Sequence, residues 1–200
     1  MRSLLTIDAH QMAIDLKNSN LKKLKTGLAR KNLEFKFTDP AQWHIPLLFF
    51  QDMGKEKFAV FDTILRQTVS SFAAFDLSLD GIRAWPEQKE ARLIWIGVQN
   101  SKDLRFLKNV VLRDLSELGE GELEGSGEPY LPLVRLKNHK NVTDIISPFK
   151  NSQFGTLRAK KLIAYEMTSG GAFPTYRKIS EYPLITAERT NLPAAEGSDD

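Results

Sequence analysis

The sequence contains no cysteine, which excludes disulfide stapling, thiolate metal centres and cysteine nucleophiles, and leaves nothing that calls for an oxidising compartment. A cytoplasmic protein is the expectation. Histidine is scarce: His10, His44 and His139 are the only three, and they show no metal-ligand spacing, so no metal and no cofactor is expected. Long apolar runs are also missing. The longest, residues 45–50, is far short of the roughly 20 residues a bilayer-spanning helix needs. Asp8 and His10 interrupt the apolar start of the chain before a signal-peptide core is complete, so no membrane partner is expected. No G-x-S-x-G elbow marks a serine hydrolase. Glycine is concentrated in residues 119–128, where four glycines alternate with four glutamates. A phosphate-cradling loop presents backbone N–H groups without such negative charge, so this segment reads as a mobile surface loop.

With 200 residues, 42% of them hydrophobic, the chain is long enough for one substantial core and short for two. Residues 1–185 read as a single bilobal domain, and residues 186–200 as a polar tail. Formal net charge is +3. Glu188, Glu196, Asp199 and Asp200 face Arg189 alone in the tail, so the body is more basic than the whole. A modest positive excess favours anionic partners without identifying one. No feature sets an oligomeric state.

Residues 3–8 read as a strand, and Asp8 as the cap of a helix reaching about Lys31, with Ala13, Leu16, Leu21, Leu24 and Leu28 at helical spacing. The outer face of that helix carries Lys17, Lys22, Lys23, Lys25, Arg30 and Lys31, which suit either a solvated surface or a phosphate backbone. A short strand at 35–37, a turn at Asp39-Pro40 and a strand at 42–50 follow. A second helix starts after Gly54, and Phe75, Leu77 and Leu79 then alternate as in a strand. Residues 91–98 have the apolar continuity of a strand covered on both faces. Ser101 caps a third helix that Gly119 ends. The remaining expectations are a strand at 131–136, a short helix at 142–146, a strand at 157–165 and a last strand at 176–182. The order repeats: strand, helix and strands, then helix and strands again. The fold class is therefore α+β, with two pseudo-symmetric lobes, each a small, mostly antiparallel sheet backed by helices around a central cleft.

Two strands invite direct comparison. Trp43-His44-Ile45-Pro46-Leu47-Leu48-Phe49 and Pro129-Tyr130-Leu131-Pro132-Leu133-Val134-Arg135 each carry a ring residue, a gap, a proline and a leucine. Strand alternation puts His44 and Pro46 on one face, and Tyr130 and Pro132 on one face of the other strand. By the same parity Arg135 falls on the face opposite Tyr130. This pair resembles the motif strands of the 2H phosphoesterase superfamily, in particular its bacterial branch of 2′-5′ RNA ligases or RNA 2′,3′-cyclic phosphodiesterases. Those strands read His-x-Thr-Leu-x-Phe and Pro-His-x-Thr-Leu-x-Arg, so Leu47, Phe49, Pro129, Leu133 and Arg135 stand at matching positions. The stretch Gly81-Ile82-Arg83-Ala84-Trp85-Pro86 and the ending from Gly170-Gly171 through Tyr176 to Pro183-Leu184 resemble the family too.

The resemblance implies a cleft in which one histidine is a general base, the other protonates the leaving ribose oxygen, and two threonine hydroxyls hold the phosphoryl oxygens. In this chain His44 and Tyr130 stand at the histidine positions, and Pro46 and Pro132 at the threonine positions. Tyrosine, with an ordinary pKa of about 10, donates a proton more readily than it accepts one at neutral pH. Proline has neither a hydroxyl nor a backbone N–H. Losing one acid–base partner costs about 10²- to 10⁴-fold and losing an oxyanion donor about 10²- to 10³-fold. The expected function is therefore binding of an RNA end or nucleotide phosphate through His44, Arg135 and nearby lysines, without efficient hydrolysis. Two alternatives stand beside it: an impaired cyclic phosphodiesterase with His44 as base and Tyr130 as acid, and a protein-interaction module with a vestigial cleft. An open basic groove favours binding, and a filled apolar one favours the last. Tyr165, Tyr176 and Tyr182 are either base-stacking residues at the rim or cross-strand packing pairs.

Overall fold

The computed structural model describes residues 2–10, 19–99, 102–118, 128–168 and 174–186. Among these residues nine strands form two antiparallel sheets. The first has the order β3-β1-β8-β9, built from β1 (Arg2–Asp8), β3 (His44–Phe50), β8 (Lys161–Thr168) and β9 (Thr175–Pro183). The second has the order β2-β6-β5-β4-β7, built from β2 (Phe35–Phe37), β4 (Phe75–Trp85), β5 (Ala91–Val98), β6 (Tyr130–Lys140) and β7 (Gln153–Ala159). The described residues also form helices α1 (Ser19–Arg30), α2 (Lys55–Val69), α3 (Lys102–Asp114) and α4 (Thr143–Ile146), with short 3-10 turns between elements. The α+β class with two antiparallel sheets is as the sequence implied, but the lobes interleave: β2 joins the second sheet, and β8 and β9 return to the first.

One side of each sheet is apolar because alternate strand residues are. Leu5, Ile7, Ile45 and Leu47 from the first sheet join Ile94, Ile96, Leu131 and Leu133 from the second in one continuous core. Helix α1 buries Leu24 and Leu28 against it and leaves Lys22, Lys23, Lys25 and Arg30 exposed. Helix α2 buries Phe61, Leu65 and Val69. It is tied to β9 through Asp62, whose carboxylate accepts hydrogen bonds from Arg66 Nε (2.7 Å), Ser180 Oγ (2.6 Å) and Tyr182 OH (2.8 Å).

Several boundaries differ from the sequence reading. The run 157–165 is two strands: it breaks at Lys160, where the chain leaves β4 in the second sheet and passes to β1 in the first. The Lys160-Lys161 pair, which interrupts the apolar pattern, marks the crossover. Strand β6 extends to Lys140, past the expected end at 136, so His139 lies on an exposed strand end. Strand β4 runs on through Gly81 to Trp85, because a bulge there keeps the pairing with β5. Gly81 has φ +63°, and a Cβ on it would lie 2.5 Å from the Lys150 carbonyl oxygen, so only glycine suits the position. The Trp85-Pro86 peptide is cis. The expected Asp8 helix cap, the glycine- and glutamate-rich loop and the polar tail lie wholly or largely outside the described residues. Asp8 Oδ1 does accept a hydrogen bond from the His10 backbone N–H. No helix among the described residues is long and apolar enough to cross a membrane.

Candidate functional site

The two compared strands carry the same irregularity at the same place. On β3, Leu5 pairs with Leu48 and Thr6 with Pro46, so Leu47 is an extra residue. On β6, Ile94 pairs with Val134 and Trp95 with Pro132, so Leu133 is an extra residue. An inserted residue resets the alternation. Leu47 and Leu48 therefore both enter the core, as do Leu133 and Val134. Position by position, Ile45, Leu47, Leu48 and Phe50 match Leu131, Leu133, Val134 and Leu136 on the core side. His44, Pro46 and Phe49 match Tyr130, Pro132 and Arg135 on the other side.

The bulge overturns the placement of Arg135 by simple parity. It lies on the same face as Pro132, directly opposite Lys36 on β2. Strands β3 and β6 are in contact across the two sheets. A cavity of ≈ 30 Å³, enough for about one water, is lined by His44 from the first sheet and by Lys36, Pro132 and Arg135 from the second, with Phe37 and Tyr176 at its wall. The structure thus brings His44, Pro132 and Arg135 together around one hollow. It does not bring Tyr130 or Pro46 into that lining. Tyr130 is 3% exposed and packs its ring on Trp95, 5.4 Å between centroids, in a small cluster with Leu93. Pro46 is buried opposite Thr6.

His44 is held from both ends. A short 3-10 turn, Pro40–Gln42, precedes it, with Asp39 Oδ1 accepting the Ala41 N–H and the Trp43 indole donating to the Thr38 carbonyl. This turn puts the Gln42 carbonyl 2.6 Å from His44 Nδ1. A carbonyl only accepts, so the proton sits on Nδ1 and Nε2 is left as the acceptor. The imidazole is 1% exposed and lies against two phenol rings, Tyr165 at 5.7 Å and Tyr176 at 5.0 Å between centroids. Burial is the main reason its pKa falls from 6.5 to about 4. The Gln42 hydrogen bond and Asp8 pull upward, while Arg135 pushes downward. At neutral pH His44 is therefore a neutral hydrogen-bond acceptor, competent as a weak base and not as an acid.

Around it the lining combines the rings of Phe37 and Tyr176, the cations Lys36 and Arg135 and the carboxylate of Asp39. Arg135 Nη2 donates to the Tyr176 hydroxyl at 3.4 Å. Tyr165 and Tyr176 pack together at 6.0 Å, and burial, followed by the charges of Asp8 and Glu181, pushes the Tyr165 phenol up to about 12. Tyr176 lines the hollow and Tyr165 packs behind it on His44 in a small apolar cluster with Leu4 and Ile163, whereas Tyr182 is on the core side, bonded to Asp62. Farther along the second sheet, Arg83 lies over the Trp95 ring at 5.5 Å. Sequence reasoning left Lys36 out of the site. Its signal was present in the Phe35-Lys36-Phe37 alternation, which turns the lysine away from the face that packs on the core.

Comparisons with known proteins agree with this geometry. The family model described as LigT-like phosphoesterase matches residues 14–95, a span that includes His44 and ends before β6. A protein of Archaeoglobus fulgidus named RNA 2′,3′-cyclic phosphodiesterase is 30% identical over 154 residues, covering 74% of this chain and 85% of its own length. A protein of the same name from Methanothermobacter thermautotrophicus is 24% identical over 189 residues, covering 92% and 99%. Among solved structures, TT0787 of Thermus thermophilus superposes with a TM-score of 0.73 at 17% identity, covering 92% of this chain and 98% of its own. Escherichia coli LigT, solved with 3′-AMP, superposes with a TM-score of 0.68 at 15% identity and the same coverage. The duplicated strands, the shared hollow and these matches agree: the chain belongs to the LigT-like phosphoesterase family of the 2H phosphoesterase superfamily.

Proposed function

We propose that the cleft binds the phosphate of an RNA end or nucleotide and turns it over poorly. The observation that carries this reading is the composition of the hollow: Lys36 and Arg135 set two positive charges beside His44 against the one carboxylate of Asp39, and Pro132 stands where a hydroxyl would complete a phosphoryl-binding set. His44 Nε2 can accept a proton from an attacking water, but its low basicity makes it an inefficient base at pH 7. The leaving oxygen then needs an acid, and Tyr130, packed on Trp95 outside the cavity lining, is poorly placed to serve. The hollow accepts phosphate oxygens at its mouth rather than a whole nucleotide.

Support also comes from the relatives named as RNA 2′,3′-cyclic phosphodiesterases and from a solved LigT bound to 3′-AMP, which make an RNA-derived phosphate the chemically reasonable ligand. The test is to incubate the protein with a short oligonucleotide ending in a 2′,3′-cyclic phosphate and to follow binding and ring opening together, for wild type and His44→Ala. Binding with slow or absent opening is expected. Opening at the rate of an efficient enzyme, abolished in His44→Ala, overturns the binding reading in favour of the phosphodiesterase; absence of both leaves an interaction module with a vestigial cleft.

A further inference from the structure

Helix α1 has a charge pattern that the cleft alone does not use. Residues 19–33 contain Lys22, Lys23, Lys25, Arg30 and Lys31 and no acidic residue. Helical geometry divides these side chains between two flanks separated by the buried Leu24 and Leu28. Lys23, Arg30 and Lys31 line a groove beside Asp144 and Phe149, and Lys31 is ion-paired with Asp144 at 3.1 Å. Lys22 and Lys25 lie on the other flank, and neither meets the carboxylate of another described residue.

That second flank connects directly to the cleft. The ammonium of Lys25 lies 5.9 Å from the centroid of the Phe37 ring, within the range of a cation–π contact. Phe37 in turn walls the cavity formed by Lys36, His44 and Arg135. Arg135, Lys36, Phe37, Lys25 and Lys22 thus form a line that starts in the hollow, crosses β2 and climbs the helix. A ring set among cations along a track suits single-stranded nucleic acid, because phosphates follow the charge and a base stacks on the ring. We propose that an RNA whose end occupies the cleft continues across β2 and along the Lys22 and Lys25 flank of α1. This rests on the phosphate-binding reading above and extends it from a terminal phosphate to an oligonucleotide.

The probes are a dinucleotide and a decanucleotide, each ending in a 3′-phosphate, with binding followed by fluorescence anisotropy at several salt concentrations. Wild type is expected to bind the decamer more tightly than the dimer. Lys22→Gln with Lys25→Gln, both exposed positions, is expected to remove that gain and leave dimer binding unchanged. The slope of log affinity against log salt should fall by about 1.4 for two phosphate contacts to a single strand. Lys23→Gln with Arg30→Gln removes the same charge from the opposite flank and is expected to have a much smaller effect. The path is overturned if the decamer gains nothing over the dimer, if the Lys22/Lys25 variant binds both probes like wild type, or if the two double variants lose affinity equally. Failure of the cleft reading is distinguishable: Arg135→Gln would then leave dimer and decamer binding untouched, whatever the lysine variants do.

Discussion

His44 makes a quantitative prediction about stability. Its folded pKa of about 4 lies below the 6.5 of an exposed histidine, chiefly because the ring is buried between Tyr165 and Tyr176. Between these two values the unfolded chain takes up a proton that the folded chain refuses. Stability therefore rises with pH across this window: it is fully present above pH 6.5, falls as the solution is acidified towards pH 4, and loses nothing further from this group below that. At 1.36 kcal/mol per pH unit, the difference amounts to about 3 kcal/mol. The perturbation is His44→Gln, which retains an N–H to offer the Gln42 carbonyl but does not titrate. Urea unfolding of both proteins at intervals from pH 7.5 to pH 4 gives two curves that share every other titrating group. Their difference should therefore isolate His44, with wild type losing about 3 kcal/mol relative to the variant, most of it between pH 6 and pH 4.5. Parallel curves would refute both the burial argument and the inference that His44 is a neutral acceptor at pH 7. A ring-proton titration by NMR with its midpoint above pH 6 would do the same.

Three other variants test the site and its scaffold. Arg135→Gln removes the charge-assisted contact to phosphate and should weaken binding of a 3′-phosphorylated dinucleotide by about 10- to 100-fold in calorimetry; unchanged affinity would place the phosphate elsewhere. Tyr130→His combined with Pro46→Thr and Pro132→Thr reinstates the motif that the family resemblance implies, and ring opening of a cyclic phosphate should rise by at least about 10²-fold; a folded triple variant with no gain would mean that the cleft, and not the missing groups, limits turnover. Gly81→Ala forces a left-handed backbone and a contact with the Lys150 carbonyl, so chemical denaturation should show a loss of about 1–3 kcal/mol or more; a neutral effect would mean that the bulge relaxes freely.

Much of this molecule was legible in its sequence because its strands alternate cleanly. The paired ring-and-proline segments at 44 and 130, the apolar run of β5 and the periodicity of α2 and α3 each reflect one strong physical demand, burial of one face or, in β5, of both. Reading failed where two demands overlap. Leu157 and Ala159 before the crossover and Leu162 and Ala164 after it pack on the same core, and the Lys160-Lys161 pair that interrupts them does not say to which sheet the chain goes next. Nothing in a period of two distinguishes a strand that ends from one that changes sheets. Lys36 was missed because β2 has only three residues, too few for its alternation to stand out.

The error over Arg135 has a more general cause. Leu47-Leu48 and Leu133-Val134 are adjacent apolar residues in strands that otherwise alternate, and such a doublet reads as noise or as burial on both faces. In both strands it instead records a bulge: two neighbours face the core because one of them is extra. In each strand the bulge follows a proline, a residue without a ladder donor, so pairing is already weakened where the extra residue enters. The functional consequence is direct. Without the bulge, position 135 would point into the core, where a guanidinium is not tolerated; with it, Arg135 reaches the hollow beside His44. Deleting Leu133 should therefore do more than shorten a strand: it would turn either Arg135 or Pro132 with Tyr130 inward and abolish folding. A replacement of Leu133 that keeps the bulge, such as Leu133→Ile, should cost less than about 1.5 kcal/mol and leave phosphate binding intact. A deletion variant that folds and binds like wild type would show that the duplicated bulge is incidental to the cleft.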